Sequence, residues 1–188
     1  HGHILLTDHN DEAWFRYLKI RATTTAAAFT PLLPLPAPRL IESAKPYPGD
    51  AYTPNHLFDG NPKTEYSSDN RGTNTFVEVE LLADVRVGAV RHVDRDDPAT
   101  VAASELVFTD ADGRATGTFP VLHPASRGAE TFFVLPSPVS ARRARWRGIR
   151  LGPEGLGTVG GAELSFWAAG DPEPAPARRR PAARPPRQ

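Results

Sequence analysis

Between residues 40 and 168, apolar positions occur in short runs that alternate with polar positions and are broken by turn residues. In residues 76–81, for example, Val77, Val79 and Leu81 are separated by two glutamates. A period of two is typical of a strand with one face in the core and the other in water. Segments of this kind at this spacing predict an antiparallel β-sandwich or barrel. They are residues 76–81, 85–93, 105–109, 117–122, 131–135, 144–151 and 162–167.

The first 21 residues have a similar pattern and predict two more strands. Residues 4–6 form a short apolar run, residues 14–21 are rich in aromatic side chains, and the turn-forming residues 9–12 lie between them. This arrangement favours a β-hairpin. An isolated hairpin buries too little apolar surface to be stable in water, so we expect it to pack on a sheet. That sheet comes either from the domain that follows or from sequence upstream.

Two segments lack a strand pattern. Residues 22–39 begin with threonines and alanines and continue with four closely spaced prolines, which predicts a semi-rigid linker. The alternative, a helix through the alanines, is disfavoured by the β-branched threonines. Residues 169–188 contain five arginines and little apolar surface, which predicts a disordered tail. The tail either remains solvated or contacts anionic polymers.

Composition excludes several classes of protein. The 22 basic residues balance the 22 acidic ones, whereas a protein that binds duplex DNA or another nucleic acid needs a cationic excess. No apolar run approaches the roughly 20 residues of a membrane span. The chain has no cysteine, so disulfides, thiolate metal sites and a cysteine nucleophile are absent. No signal-peptide pattern is present in the sequence, which begins with a histidine.

Residues 40–168 resemble the discoidin family, the coagulation factor 5/8 type C domains. The resemblance is an ordered series of motifs at residues 40–44, 55–66, 76–81, 104–113, 141–147 and 160–166. It implies an antiparallel jelly-roll β-sandwich of the galactose-binding-like type. Tyr66 replaces the family's usual tryptophan and Glu80 its usual aspartate. The absence of the terminal cysteine pair points toward bacterial carbohydrate-binding relatives, with a glycan or carbohydrate polymer as partner.

Residues 2–21 resemble a different family, the 3-keto-disaccharide hydrolases, whose catalytic domain is a laminarinase-like sandwich. The similar motif is Gly2-x-Ile4 followed by Asp8-His9 and then an aromatic-Phe-Arg segment at 14–16. This resemblance implies that residues 1–21 are the terminal hairpin of a truncated second sandwich and that the N-terminal catalytic domain is missing. The parent would be a secreted, periplasmic or cell-surface hydrolase, whereas this chain alone would carry no catalytic residue.

The discoidin resemblance implies one candidate metal site, for a structural Ca²⁺. Asp59, Asn61, Thr64 and Glu163 occupy positions where the family offers side-chain and backbone oxygens. Calcium accepts six to eight hard oxygen ligands in flexible geometry, backbone carbonyls among them. The alternative is an Asx turn in which Asp59 caps its own loop, with Glu163 paired to an arginine.

In this fold, ligands bind at loops on one end of the sandwich. Sugars need an apolar or aromatic surface together with convergent polar groups. The predicted ligand-binding residues are Arg95, Asp96, His123, Arg71 and Asn74, with Tyr52 and Arg127 as further loop candidates. Arg95 beside Asp96 offers a bidentate donor next to an acceptor, although an Arg-Asp-Asp turn is also a common solvated corner. Trp146 and Trp167 lie in predicted strands and are interpreted as core residues.

These observations favour the C-terminal part of a secreted carbohydrate-active protein with a discoidin-like carbohydrate-binding domain. Two alternatives remain open at this stage. One is a structural domain that binds nothing, and the other is an adhesion module for a protein or a cell-surface polymer.

Overall fold

The computed structural model describes residues 32–170, which form an antiparallel β-sandwich. The nine strands are β1 (Leu32–Pro34), β2 (Arg39–Ser43), β3 (Tyr66–Ser67), β4 (Phe76–Val93), β5 (Val101–Thr109), β6 (Ala115–Leu122), β7 (Glu130–Leu151), β8 (Gly160–Gly161) and β9 (Glu163–Ala169). Short 3₁₀ helices lie at Asp50–Tyr52, Pro54–Phe58 and Gly72–Asn74. The predicted fold class is confirmed for this part of the chain.

Two long strands, β4 and β7, contribute to both layers of the sandwich. Their register runs from Phe76 opposite Arg147 to Val93 opposite Glu130, with irregularities after Glu80 and after Val87. The first half of β4 pairs with β2 and the second half pairs with β9. The C-terminal half of β7 pairs with β5, which pairs with β6. Each long strand therefore bends from one layer into the other.

This continuity corrects two sequence predictions. Residues 76–81 and 85–93 were expected as separate strands, but they are the two halves of β4. Residues 131–135 and 144–151 are likewise the two halves of β7. The breaks expected between them are bulges: residues 82–84 are exposed on β4, and Pro136 and Pro138 lie where β7 has no β4 partner. A proline lacks the N–H that regular pairing requires, so it fits at a bulge.

The core lies between the layers and follows the alternation in the sequence. On β4, Val77, Val79 and Leu81 are buried, whereas the intervening glutamates are half-exposed. Phe108 of β5 packs edge-on against Phe166 of β9, with ring centroids 6.5 Å apart. The first half of β4, the C-terminal half of β7 and β5 lie in one layer, and the outer face of that layer carries arginines of β7 paired with glutamates. One of these pairs is Arg147 with Glu105 at 3.1 Å.

The β5–β6 hairpin forms as the sequence predicts. Asp110 Oδ1 accepts hydrogen bonds from the backbone N–H groups of Asp112 and Arg114, each at 2.9 Å, and Gly113 has a φ of 79°. This positive φ favours glycine. β6 lies at one end of the strand order and β1 at the other. Pro120 lies within β6 and Pro34 ends β1.

The boundaries differ from the predicted domain limits at both ends of the sandwich: β2 begins at Arg39, which was assigned to the linker, and β9 includes Ala169, which was assigned to the tail. The linker was expected to extend through residue 39, yet residues 32–34 form β1 and pair with β9, Leu32 opposite Ala169. Pro34 is tolerated there because β1 is an edge strand. The predicted hairpin at 1–21, the linker before residue 32 and the tail from residue 171 lie outside the described residues. Among residues 32–170, no helix has the length and apolar character needed to cross a membrane.

Replacing Phe108 by alanine should lower the free energy of unfolding by about 3–5 kcal/mol, because the side chain is fully buried and leaves a cavity. Val107 is its matched control, since it precedes Phe108 on β5 but lies on the opposite, half-exposed face. Val107→Ala should change the free energy by no more than about 1 kcal/mol. Urea denaturation measures both, and equal effects would contradict the inward orientation of Phe108.

Candidate functional site

A pocket of about 260 Å³ opens where the loops around β3, the β4–β5 connection and the segment before β8 meet. We call it the tyrosine pocket; its lining residues are Tyr47, Tyr52, Ser67, Arg95, Asp97 and Thr158. It combines aromatic walls with charged and hydroxyl groups. Such a combination is typical of sites for small polar ligands.

Two tyrosines form a corner of the pocket. The ring of Tyr47 meets that of Tyr52 edge-on, with centroids 5.7 Å apart and planes at 84°. Tyr47 is fixed by a backbone hydrogen bond from its N–H to Ser67 O at 2.8 Å. The chain between the tyrosines turns at Gly49, whose φ of 95° is unfavourable for other residues. The turn and the backbone hydrogen bond thus bring the two tyrosines together, and their rings meet at the edge of the pocket.

Arg95 forms the buried floor of the pocket. Its Nη2 donates to Glu65 Oε1 at 2.7 Å, and its Nη1 donates to the carbonyl oxygen of Thr158 and to Asp97 Oδ1 at 3.4 Å. The guanidinium also lies 5.7 Å from the centroid of the Tyr52 ring, within range of a cation–π contact. Only 5% of the Arg95 side chain is exposed. The residue therefore links three segments of the pocket.

Asp94 fixes the loop that carries Arg95. Its Oδ1 accepts from the N–H of Arg95 and its Oδ2 accepts from the N–H of Val101, both at 2.9 Å. Burial raises the pKa of this carboxyl to about 6, against the two backbone hydrogen bonds, which lower it. The Asp94 side chain thereby joins the two ends of the loop between β4 and β5.

A second group of oxygens surrounds the Asp59 loop. Thr64 Oγ1 lies 2.7 Å from Asp59 Oδ2 and 2.8 Å from Asn61 O, and Asp59 Oδ1 accepts from the N–H of Asn61 at 2.8 Å. The Thr64 hydrogen bond lowers the pKa of Asp59. These contacts are those of the Asx-turn alternative, and they also gather hard oxygen atoms in one place.

Glu163 lies near this loop and is buried at the start of β9. Its Oε1 has no hydrogen-bond partner within the described part of the chain. Burial raises the pKa of Glu163, the Asp59 charge raises it further, and the Arg91 charge lowers it. No arginine salt bridge to Glu163 occurs among residues 32–170, which differs from the alternative interpretation. An orphaned carboxylate oxygen beside a negative charge fits a site for a cation.

Over the same described range, no three His, Asp or Glu side chains converge closely enough to hold a metal ion by themselves. A cation at Asp59 and Glu163 would therefore depend on backbone carbonyls and on Asn61 and Thr64 as well. Calcium accepts such neutral oxygens readily, whereas zinc prefers nitrogen and sulfur ligands.

The structure brings some of the predicted ligand-binding residues together and separates others. Arg95 and Tyr52 share the tyrosine pocket, and Asp96 is exposed beside it while Asp97 forms the lining. Arg71 and Asn74 are exposed at the 3₁₀ helix before β4. Arg127 lines a different pocket, together with Glu154. His123 points into the sandwich beside His92. These residues do not form a single site, and their roles in ligand binding stay predictions.

Sequence reasoning missed Tyr47, Ser67, Asp97 and Thr158. The tyrosine spacing in a loop rich in proline and glycine was the one available signal, since two aromatic residues flank a tight turn at Gly49. Thr158 contributes a carbonyl oxygen to the floor, and its residue type carries no signal for that role. Trp146 is core as predicted, whereas Trp167 is half-buried on an outer face, edge-on to Phe132 at 5.4 Å.

No protein-family model matches the chain, and no curated protein matches it in sequence. Solved structures do match. The family 32 carbohydrate-binding module from C. perfringens NanJ, in complex with galactose, has a TM-score of 0.56 at 14% identity over 72% of this chain and 98% of that one. A Streptococcus pneumoniae fucose-binding module has a TM-score of 0.54 at 19% identity, covering 71% and 92%.

A third similar structure is chitosan-binding module 1 from a chitosanase/glucanase of Paenibacillus sp. IK-5. Its TM-score is 0.55 at 15% identity, and the match covers 70% of this chain and 95% of that one. Identities at this level establish the fold. The described residues thus have the galactose-binding-like β-sandwich fold of carbohydrate-binding modules of this type.

Replacing Arg95 by alanine should lower the free energy of unfolding by about 2–4 kcal/mol, because it leaves Glu65 and the Thr158 carbonyl without their buried partner. Arg114 is the control, since its ion pair with Asp112 is exposed on the β5–β6 turn. Arg114→Ala should cause little change. Urea denaturation distinguishes the two, and an equally small effect for Arg95 would exclude a structural role for its contacts.

Proposed function

We propose that the described sandwich is a carbohydrate-binding module and that its ligand occupies the tyrosine pocket. The observation that carries this proposal is the corner that the rings of Tyr47 and Tyr52 form beside the buried Arg95. Aromatic faces pack against the C–H groups of a sugar ring, while charged and hydroxyl groups accept and donate hydrogen bonds to its hydroxyls. The known structures with the same fold support the choice of ligand class.

Within the pocket, the polar groups differ in what they can do. Asp97 is partly exposed and offers a carboxylate acceptor, although its Oδ1 already accepts from the N–H of Ala99 at 2.9 Å. The hydroxyls of the tyrosines provide both donors and acceptors. Three of the five N–H groups of Arg95 donate to protein acceptors, and its Nε is buried. Arg95 therefore positions Tyr52 and Thr158 and is expected to contact the ligand at most through the second N–H of Nη2.

The proposal is tested by a glycan array on the full chain, followed by titration of the strongest glycan found. Tyr47→Ala and Tyr52→Ala should each weaken its binding about tenfold or more, because each removes one aromatic wall. Phe132→Ala is the matched control, since Phe132 is a partly exposed aromatic on an outer sheet face. It should leave the affinity unchanged.

The outcomes separate the alternatives. Binding that survives both tyrosine substitutions places the ligand elsewhere and contradicts the proposed pocket. No glycan bound, together with a loss of stability of neighbouring domains when residues 32–170 are removed, favours a structural domain. Recognition of a protein in place of any glycan favours an adhesion module.

We also propose a structural calcium ion at the Asp59 loop, bound by Asp59, Asn61, Thr64 and Glu163. The orphaned Glu163 Oε1 and its unfavourable proximity to the Asp59 charge support it. A divalent cation there would neutralise both carboxylates and join the loop to β9. It would supply no chemistry beyond that positioning.

Calcium should raise the melting temperature of the chain and release or absorb heat on calorimetric titration. Glu163→Gln should abolish both effects, because the amide keeps the shape and loses the charge. Glu105→Gln is the control, as Glu105 forms a partly exposed ion pair far from the loop. If calcium changes neither quantity in the unaltered chain, the Asx turn is sufficient by itself.

For the whole protein we propose a secreted carbohydrate-active enzyme, a hydrolase of 3-keto sugars, in which this module keeps the catalytic domain near its substrate. Support comes from the resemblance of residues 2–21 to that hydrolase family. Tethering raises the local substrate concentration without new contacts in the active site. Sequencing the DNA that flanks the region encoding this chain tests the proposal. The same reading frame must encode the rest of the catalytic sandwich and an export signal.

A further inference from the structure

Two histidines and a tryptophan form a cluster inside the sandwich, apart from the tyrosine pocket. We call His92, His123 and Trp146 the histidine cluster. The ring of His92 stacks on Trp146 with centroids 5.1 Å apart and planes at 14°, and the His123 ring lies 5.0 Å from His92. His92 is 3% exposed. The three rings surround a small cavity of about 10 Å³.

The hydrogen bonds fix the protonation state of His92. Its Nε2 lies 3.1 Å from Gly160 O, and because a carbonyl only accepts, Nε2 carries the hydrogen. The other nitrogen, Nδ1, is then the unprotonated one, and it is buried with no partner among the described residues. A second proton on the ring would be a buried N–H without an acceptor, which is costly.

His123 is held by two hydroxyls. Its Nε2 lies 2.8 Å from Ser104 Oγ and its Nδ1 lies 2.9 Å from Thr131 Oγ1. A hydroxyl can donate or accept, so this pair of contacts suits a neutral ring in either tautomer. A doubly protonated ring would require both hydroxyls to accept, which provides no compensating negative charge.

No carboxylate faces either ring within the described structure. The cavity is lined by β4, β5, β6 and β7 side chains, of which only the two histidines are titratable, and β8 contributes the Gly160 carbonyl. Burial lowers the pKa of His92 to about 3, with the charge of His123 as a further cause, and burial lowers the pKa of His123 to about 4. Asp94 lies two residues after His92, just beyond the end of β4, and accepts hydrogen bonds from backbone N–H groups, with its pKa raised.

The lowered pKa values of the two histidines determine how the stability of the protein changes with pH. A histidine exposed to solvent has a pKa near 6.5. Below that pH, a state with exposed rings therefore binds more protons than the state with buried rings. The stability that the neutral histidines contribute is therefore full above about pH 6.5 and is lost as the pH falls toward their folded pKa values. Protonation of Asp94 acts in the opposite direction, since its folded pKa is raised.

The cluster is joined to the tyrosine pocket through β8. Gly160 and Gly161 pair with Ser67 and Tyr66 of β3, and a Cβ on Gly161 would lie 2.7 Å from His92 Nε2. Two residues before β8, the Thr158 carbonyl accepts from Arg95 and from Ser67 Oγ at 3.0 Å. The His92 ring thus packs directly on the strand that leads to the wall of the pocket.

We propose that the histidine cluster is an acid-sensitive latch: acidification expels the rings from the cavity, releases β8 from His92 and opens the tyrosine pocket. Ligand release at low pH is the consequence for binding, and that consequence rests on the proposed function. Opening of the latch itself does not require a bound ligand.

Amide hydrogen exchange on the full chain tests the latch at pH 7 and pH 5. The reporter is the amide of Ser68, bonded to Val159 O at 3.0 Å, and the reference is the Gly113 amide on the distant β5–β6 turn. The Ser68 protection factor should fall about thirtyfold between the two pH values for each histidine that becomes exposed on opening, provided that Asp94 keeps its backbone hydrogen bonds. This ratio corresponds to about 1.5 pH units below the open-state pKa. The Gly113 protection factor should change less.

His92→Gln combined with His123→Gln should remove this pH dependence, because glutamine keeps an N–H for the Gly160 carbonyl and does not titrate. His56→Gln is the matched control, as the ring of His56 lies outside the cluster against Glu65 O. It should retain the full effect. A protection factor at Ser68 that is equal at both pH values overturns the latch, and so does a decrease that persists in the double variant.

If the double variant does not fold, the unaltered protein still decides. Proton resonances of the imidazole rings should show two histidines that stay neutral while the Ser68 amide is protected and become protonated only as that protection is lost, below about pH 6.5. Titration of both rings near pH 6.5 with the Ser68 amide still protected would overturn the proposal. These measurements use no glycan. Failure of the latch is therefore distinguishable from failure of the carbohydrate proposal, which depends on the array and the tyrosine variants.

Discussion

The pairing of β4 with β7 is the constraint on which the rest of the structure depends. Both strands cross from one layer to the other, so the two layers are joined by continuous backbone as well as by side-chain packing. The bend requires irregular pairing at residues 82–84 and at Pro136 and Pro138, where the missing proline N–H is tolerated. Because β4 ends at Val93 and β7 ends at Leu151, the same bend also determines where the loops that form the pocket begin.

Buried polar groups are concentrated at that end of the sandwich. Asp94, Arg95, His92 and Glu163 are all less than a tenth exposed, and they lie at the end of β4, in the loop after it or at the start of the neighbouring β9. Burial of such groups is unfavourable unless each finds a partner. Both carboxylate oxygens of Asp94 find partners within the loop, whereas Arg95, His92 and Glu163 each keep one buried atom without a partner among residues 32–170. The candidate ligand site, the candidate cation site and the histidine cluster therefore all contain buried polar groups from this one end of the sandwich.

The alternation of residues in the sequence was sufficient to predict the segments that form β4 to β7 and β9, and the β5–β6 turn, because these depend on local pattern. The strands β1, β3 and β8 have two or three residues each, too few to show an alternation, and were not predicted. It did not predict that four of the expected strands would be halves of two, since exposed residues 82–84 and two prolines resemble chain breaks. Arg95 and Tyr52 were predicted for the site from their loop positions. Tyr47 and Thr158 were not, because their place in the pocket depends on contacts between distant segments. His123 was placed among the loops, but its hydroxyl partners on β5 and β7 draw it inward.

The prolines at the edges of the sandwich have a consequence for crowding. β1 and β6 end the strand order, and unpaired edges of this kind invite the strands of other molecules. Pro34 and Pro120 offer no N–H at these edges, and β1 is only three residues long. Association of copies through β1 or β6 is therefore hindered, since an incoming strand finds no N–H donor at either proline.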